Sequence, residues 1–291
     1  MKVLHLEDDD QFASLVAAML RDQGCEVHRT TTLHDGARMA RDQELTCALV
    51  DLDLPDAHGL EAVMGMRRAS PDLPLVVLTG HTSDTAPVKS ILLGAQEWLA
   101  KHEVTSSRLL RATAVAVARR DLESELVWRA SHDELTGLAN RGLVREHLTR
   151  ALGRSCRAPA AVAVYFCDLD NLKALNSDFG HATGDAVLQR VAHRLVSTMR
   201  PGDVVGRWAG DEFVVVAEHI ESVDHAVGIG ERMRRAVAQP VRTQDSVHAP
   251  GITVGICLDD RAHGITDLIA LADEAMLAAK RTGEGIRVAA L

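Results

Sequence analysis

Positive charge, paired cysteines and long apolar runs are what this 291-residue chain has little of. Its formal net charge of −9 argues against a general electrostatic grip on DNA or on anionic lipid, so neither nucleic acid nor a membrane is an expected partner. A phosphate-bearing ligand would have to be held by local cations or metal ions. The five cysteines, Cys25, Cys47, Cys156, Cys167 and Cys257, are odd in number and contain no CxxC pair, which favours reduced, buried thiols over disulfides or zinc. The N-terminus is an acidic-ended strand rather than a basic then apolar leader, and no apolar run is long enough to cross a bilayer. A cytoplasmic protein is therefore expected. Lysine is scarce too, at five of the 32 basic residues.

What remains is ordinary globular composition, 46% hydrophobic and 25% charged, in a chain long enough for two cores. From Val3 to Lys101, short apolar strands (VLHL, CALVDLDL, LPLVVLTG, EWLAK) alternate with amphipathic stretches such as FASLVAAML. That alternation predicts a parallel sheet covered by helices on both faces, with functional groups gathered beyond the carboxyl ends of the strands. Those ends carry Glu7 and Asp8, then Asp51, then Thr79, then Lys101. Further on, AVAVYFCDLD reads as a buried strand ending in Asp168 and Asp170. The segment DVVGRWAGDEFVVVAE reads as a hairpin with Asp211 and Glu212 at its tip. Two such strand ends would bring together carboxylates suited to a hard cation such as Mg²⁺.

The set Glu7, Asp8, Asp51, Thr79 and Lys101, with the DLDLP and GAQEWLAK segments around it, resembles a response-regulator receiver domain, expected over residues 1–103. The resemblance implies that Asp51 accepts a phosphoryl group from a histidine kinase while Glu7, Asp8 and the carbonyl of Asp53 bind one Mg²⁺. Thr79 and Lys101 would contact the phosphoryl group, and Trp98 stands at the aromatic switch position. His102 replaces the proline that usually follows the lysine. Asp9 or Asp10 reads as a helix N-cap.

Residues 104–130 contain no Gly or Pro and predict one connecting helix. Val115, Leu122 and Arg129 share one heptad position and Leu126 a second, a short seam that reads either as a dimerising stalk or as a helix packed on its own domain.

Residues 131–291, through DELTGLANR, NSDFGHATGD and AGDEF, resemble a GGDEF domain, an α/β fold with a mixed central sheet like that of nucleotidyl cyclases. This implies a diguanylate cyclase, a homodimer that joins two GTP into cyclic di-GMP, with Mg²⁺, or Mn²⁺ in its place. Two metal ions would be held by Asp168, the carbonyl of Leu169 and Asp211. Asp211 is the candidate proton acceptor and Glu212 supports the metals. Asn176 and Asp185 would read guanine, His181 lies in the nucleotide segment, and Lys173 and Lys280 stand near the triphosphate. Asp185 also reads as the N-cap of the next helix. Arg200 and Asp203 match a product-binding inhibitory pair, although RPGD is equally a helix exit into a turn.

Several positions depart from the pattern. Ala209 opens the signature, Glu284 takes the place of an arginine, Leu172 and Leu277 replace aromatics, and Gly255 and Cys257 alter a strand. Two functional readings therefore stand: a phosphorylation-regulated cyclase, and a degenerate domain that binds GTP or cyclic di-GMP as a receptor.

Overall fold

A strand that is apolar at successive positions needs cover on both faces, and both halves of the molecule are organised around that need. The computed structural model describes residues 1–80, 86–155, 161–243, 246–259 and 264–290. It divides into two compact units, Met1–Val127 and Trp128–Leu291. Cys156, counted above among the thiols, lies outside the described residues. Cys25, Cys47, Cys167 and Cys257 are buried, and burial pushes the Cys47 and Cys167 thiols up to about 12.

The first unit runs β1 (Lys2–Leu6), α1 (Asp10–Asp22), β2 (Glu26–Thr30), α2 (Leu33–Asp42), β3 (Cys47–Asp51), the short strands β4 (Asp53–Leu54) and β5 (Ala57–His58), α3 (Leu60–Ala69), β6 (Leu75–Thr79), α4 (Ala86–Leu92), β7 (Glu97–Ala100) and all but the last turn of α5 (Ser106–Ser131). Five strands form a parallel sheet in the order β2-β1-β3-β6-β7, the doubly wound arrangement expected. Side chains alternate between faces, as the two-residue strand period requires. Leu4, Leu6, Val50 and Val77 join Ala62, Val63 and Met66 of α3. Val3, Leu49, Val76 and Leu78 join Val16 and Leu20 of α1 and Leu109, Ala112 and Ala116 of α5. Beyond that contact, Leu122 and Leu126 of α5 are 57% and 58% exposed. Asp9 is the N-cap of α1, its carboxylate accepting the Gln11 and Phe12 N–H groups.

The second unit contains α6 (Arg141–Ser155), β8 (Ala161–Leu169), α7 (Leu172–Phe179), α8 (His181–Ser197), β9 (Val204–Ala209), β10 (Glu212–Ile220), α9 (Val223–Val237), β11 (Val241–Arg242), β12 (Val247–His248), β13 (Ile252–Leu258), α10 (Ile265–Thr282) and β14 (Ile286–Val288). Its main sheet has the order β14-β13-β8-β10-β9. Only β13 and β14 pair in parallel, so the sheet is mixed. Val162, Val164, Phe166, Val214 and Val216 face α6 and α10, whereas Ala163, Tyr165, Cys167, Phe213 and Val215 face α8 and α9. Among the described residues no helix is long and apolar enough to cross a membrane.

Candidate functional site

In the first unit the sheet order places the ends of β1 and β3 side by side, because β1 sits between β2 and β3 and the connections leave to opposite sides there. Glu7 and Asp51 emerge at that point, both buried, with Asp8 exposed beside them. Single ligand atoms of Glu7, Asp8 and Asp51 all lie within 4.8 Å of one another. Lys101, just past β7, donates to Glu7 Oε1 and to Asp51 Oδ2, both at 2.8 Å. Burial raises the Glu7 carboxyl above its usual range, and the Asp51 charge adds to this against the Lys101 hydrogen bond. Burial works against the Lys101 charge, but the hydrogen bonds of Asp51 and Glu7 outweigh it and raise the ammonium pKa. Thr79 is buried at the end of β6, Asp53 opens β4, and Trp98 on β7 is 39% exposed.

The donor set suits a hard cation. It is all carboxylate oxygen, and Glu7 Oε2 is buried with no hydrogen-bond partner among the described residues.

His5, one side-chain alternation before Glu7 on β1, is fully buried, and both ring nitrogens lack a hydrogen-bond partner among the described residues. Burial, with the charges of Lys101 and Arg29, pushes its pKa down to about 3, so the ring is neutral in the native protein. An unsatisfied buried polar group costs about 1–3 kcal/mol. His5→Leu is therefore expected to raise the unfolding free energy by about 1 kcal/mol in a urea titration. A loss of similar size would show that the imidazole is satisfied after all.

In the second unit the register of β8 against β10 assembles the acidic site. Glu212 pairs with Asp168 across the ladder, and the Leu169 N–H donates to the Asp211 carbonyl at 3.0 Å. The turn between β9 and β10 is made by Gly210 at φ +49°, while Ala209 keeps a negative φ, so alanine is tolerated in the signature's first position. Lys280, from α10, ion-pairs with Asp168. Burial raises the Asp168 carboxyl, with Asp211 and Asp170 pushing the same way and Lys280 opposing. Glu212 is also raised, by burial and then by the charges of Asp273, Asp168 and Asp211. Asp168, Asp211 and Glu212 are more widely spread than the acidic trio of the first unit, which among the described residues is the one group meeting the 4.8 Å separation. Their crowding of like charge beside one lysine nonetheless fits divalent cations held by oxygen.

Asp170 adds its charge to that cluster but is itself tied elsewhere. Its Oδ1 accepts the Thr253 hydroxyl at 2.9 Å and its N–H donates to Gly251, so it ties β8 to the start of β13. Asp273 of α10 was not anticipated from sequence, because nothing in a helical repeat says which strand end its acidic residue will face. Arg207 was missed as well. It donates to the Gly210 carbonyl at 2.9 Å and to both oxygens of Asp133, at 3.0 and 3.2 Å, holding the hairpin tip against the DELTGLANR turn. The RW immediately before AGDEF was the available signal.

Asn176 lies on α7, and its side-chain oxygen fills the space over Gly184 of α8, where a Cβ would come within 1.8 Å of it. That oxygen has no hydrogen-bond partner among the described residues. His181 is the first residue of α8 and Asp185 lies one turn inside it, both exposed. Asp185 is therefore not an N-cap. Lys173 is exposed on α7. Asp203 accepts the Arg200 N–H at 3.0 Å and the Glu218 N–H at 3.1 Å, which closes the RPGD turn. The same turn borders a cavity of about 360 Å³ lined by His147, Arg154, Arg200, Asp203, Glu218 and His219. Glu284 stands 3.9 Å from Arg287, which offsets part of its charge.

Two family models match: "Response regulator receiver domain" over residues 3–114 and "Diguanylate cyclase, GGDEF domain" over residues 130–285. The diguanylate cyclase TpbB of Pseudomonas aeruginosa is 36% identical over 170 residues, 58% of this chain and 39% of that protein. An uncharacterized protein of Mycobacterium tuberculosis is 34% identical over 197 residues, 66% of this chain and 31% of its own length. The chain thus spans between 31% and 39% of the length of these relatives. The solved GGDEF domain of TpbB is similar at a TM-score of 0.53 with 37% identity, over 55% of this chain and 95% of that one.

Proposed function

Since the chain belongs to the GGDEF family through residues 130–285, behind a response-regulator receiver domain at residues 3–114, we propose that it is a phosphorylation-controlled diguanylate cyclase. The observation that carries this reading is the joining of two strand ends, with Glu212 opposite Asp168 and the Leu169 N–H on the Asp211 carbonyl.

The reaction bonds the 3′-hydroxyl oxygen of one GTP to the α-phosphorus of the other and breaks the bond to pyrophosphate. A second such step closes the ring and releases a second pyrophosphate. Positioning and charge neutralisation provide most of the acceleration in phosphoryl transfer. Two divalent ions on Asp168, the Leu169 carbonyl and Asp211 would supply that neutralisation and polarise the hydroxyl. Asp211, at the exposed hairpin tip, takes the hydroxyl proton, and Glu212 supports the cluster from the ladder beside it. Lys280, already anchored on Asp168, adds a positive charge for the triphosphate. Asp185 accepts the N1–H and exocyclic amine of guanine, a donor pair that adenine lacks, and Asn176 serves the neighbouring edge. His181 and Lys173 frame the same nucleotide from α8 and α7. Because each site holds one GTP, two copies of the chain face each other as a homodimer. The cavity beside Arg200 and Asp203 would take the product and restrain synthesis, Arg200 stacking on or forking to a guanine.

In the first unit, Asp51 is the phosphoacceptor, served by a histidine kinase. One Mg²⁺ on Glu7, Asp8 and the Asp53 carbonyl would offset the incoming phosphoryl charge. Thr79 and Lys101 then hold the phosphoryl oxygens, and Trp98 reports the change at the surface of β7.

The test is mass-spectrometric detection of cyclic di-GMP from purified protein, GTP and Mg²⁺, with and without beryllofluoride. Product in either arm supports the cyclase, and a difference between arms assigns control to Asp51. Asp51→Asn is expected to erase that difference while leaving the basal rate within about twofold, since the residue acts only through the switch. Absence of product in both arms, with cyclic di-GMP still bound, would move the protein to the receptor reading.

A further inference from the structure

We propose that Arg29 is a positioning residue for the acidic cation site, holding the Glu7–Asp10 loop so that the Asp8 carboxylate reaches the cluster. The inference rests on the phosphoacceptor reading of Asp51. Four consecutive acidic residues, Glu7 to Asp10, repel one another and would leave a loop of their own ill-defined. Three of them are nonetheless held through their own carboxylates. Glu7 bonds Lys101, Asp9 caps α1, and Asp10 pairs with Arg29 at 2.6 Å. Asp8 differs, because its exposed carboxylate has no hydrogen bond among the described residues and yet lies within 4.8 Å of the Glu7 and Asp51 oxygens. Its position therefore comes from its backbone.

Arg29 holds that backbone. Residue 29 pairs with His5 in the β1–β2 ladder, and the Glu7 N–H continues the ladder to the Thr30 carbonyl at 3.0 Å. From there the guanidinium reaches forward. Its Nε and Nη2 donate to the Glu7 carbonyl at 3.1 and 3.0 Å, Nη2 also to the Asp8 carbonyl at 3.2 Å, and Nη1 to Asp10 Oδ1. Two successive carbonyls turned toward one rigid fork set the peptide planes on both sides of Asp8, and so fix where its side chain points. A lysine ammonium cannot reproduce the planar spread of donors.

The sign of the effect separates positioning from charge. A guanidinium near a cation site repels the cation, so loss of its charge alone would tighten binding. Loss of the clamp would weaken it, and outer partners of metal ligands typically matter by tenfold or more. The experiment titrates the full chain with Mn²⁺, following the signal of the free aqueous ion by electron paramagnetic resonance, with Mg²⁺ as competitor and Asp8→Ala as the variant that lacks the site. Arg29→Met is expected to weaken the Asp8-dependent site about tenfold, and Arg29→Lys, which keeps the charge, by a similar factor. Asp10→Asn, which leaves the carbonyl contacts in place, should change affinity less than threefold. Circular dichroism in the absence of metal checks that each variant is folded, and Arg29→Lys carries the test if Arg29→Met is not. Unchanged or tighter binding in the folded Arg29 variants would overturn the inference while leaving the phosphoacceptor reading intact. If the unaltered chain shows no Asp8-dependent site, both fall together.

Discussion

Asp211→Ala is expected to reduce cyclic di-GMP synthesis by about a hundred- to a thousandfold, the scale seen when a charge-stabilising group is removed from a transition state. Asp211 stands at the tip between β9 and β10, partly exposed, so its carboxylate contributes little to the core. The structural task of the residue belongs to its carbonyl, which accepts the Leu169 N–H and is retained in alanine. Gly210 carries the positive φ of the turn and is unaffected. Synthesis should therefore fall while the thermal midpoint stays within a degree or two, because surface substitutions usually move stability by less than about 0.5 kcal/mol. Initial rates by mass spectrometry and a melting curve on the same sample check both halves. Product at the unaltered rate would remove Asp211 from the chemistry. A comparable fall in synthesis with a lowered midpoint would instead assign it a structural role.

Gly255→Ala should unfold or strongly destabilise the second unit, by about 3 kcal/mol or more. Gly255 lies in β13 opposite Phe166 of β8, and α10 crosses directly over it. A Cβ there would come within 2.0 Å of the Ala272 carbonyl oxygen and 2.3 Å of the Met276 nitrogen, both of them helix backbone. Neither can rotate away, so the helix would have to lift from the sheet and open the contacts of Leu268, Ala272 and Met276 with Cys257 and Phe166. The helix also brings Lys280 to Asp168 and Asp273 toward Glu212, so the candidate site would go with the packing. Gly228 is the internal control. It is an exposed α9 glycine with nothing within 4 Å of its would-be Cβ, and Gly228→Ala should be neutral or stabilising by up to about 1 kcal/mol. Urea unfolding of the full chain followed by circular dichroism distinguishes the two. Equal midpoints for both substitutions would mean that α10 is not seated on Gly255.

Much of this architecture is readable in short windows of sequence. Runs such as CALVD and AVAVYF are apolar at successive positions because both faces of each sheet are covered, and that alone implies flanking helices. The carboxylates follow from the same logic, since Asp51 and Asp168 come where an apolar strand stops, and Asp211 and Glu212 where a hairpin turns. Asp9 announces α1 through capping chemistry, which is local by nature. Asp185 shows the limit of that logic: it has a capping residue's chemistry, but α8 begins a full turn earlier at His181.

The folded arrangement was needed for every relation between elements distant in the chain. Asp170 has the same residue type and nearly the same position as Asp168, yet Thr253 claims it while Lys280 claims its neighbour. Arg29 lies at the end of an unremarkable strand and meets the acidic loop because β1 and β2 are adjacent in the sheet. Asp133 and Arg207 meet across 74 positions, and Gly255 looks like a lapse in strand propensity until α10 is laid on it. A residue's own neighbours in sequence set its dihedral preferences, its face and its cap. Which charge it meets depends on strand order, register and helix seating, and those are settled by burying both faces of the sheets at once.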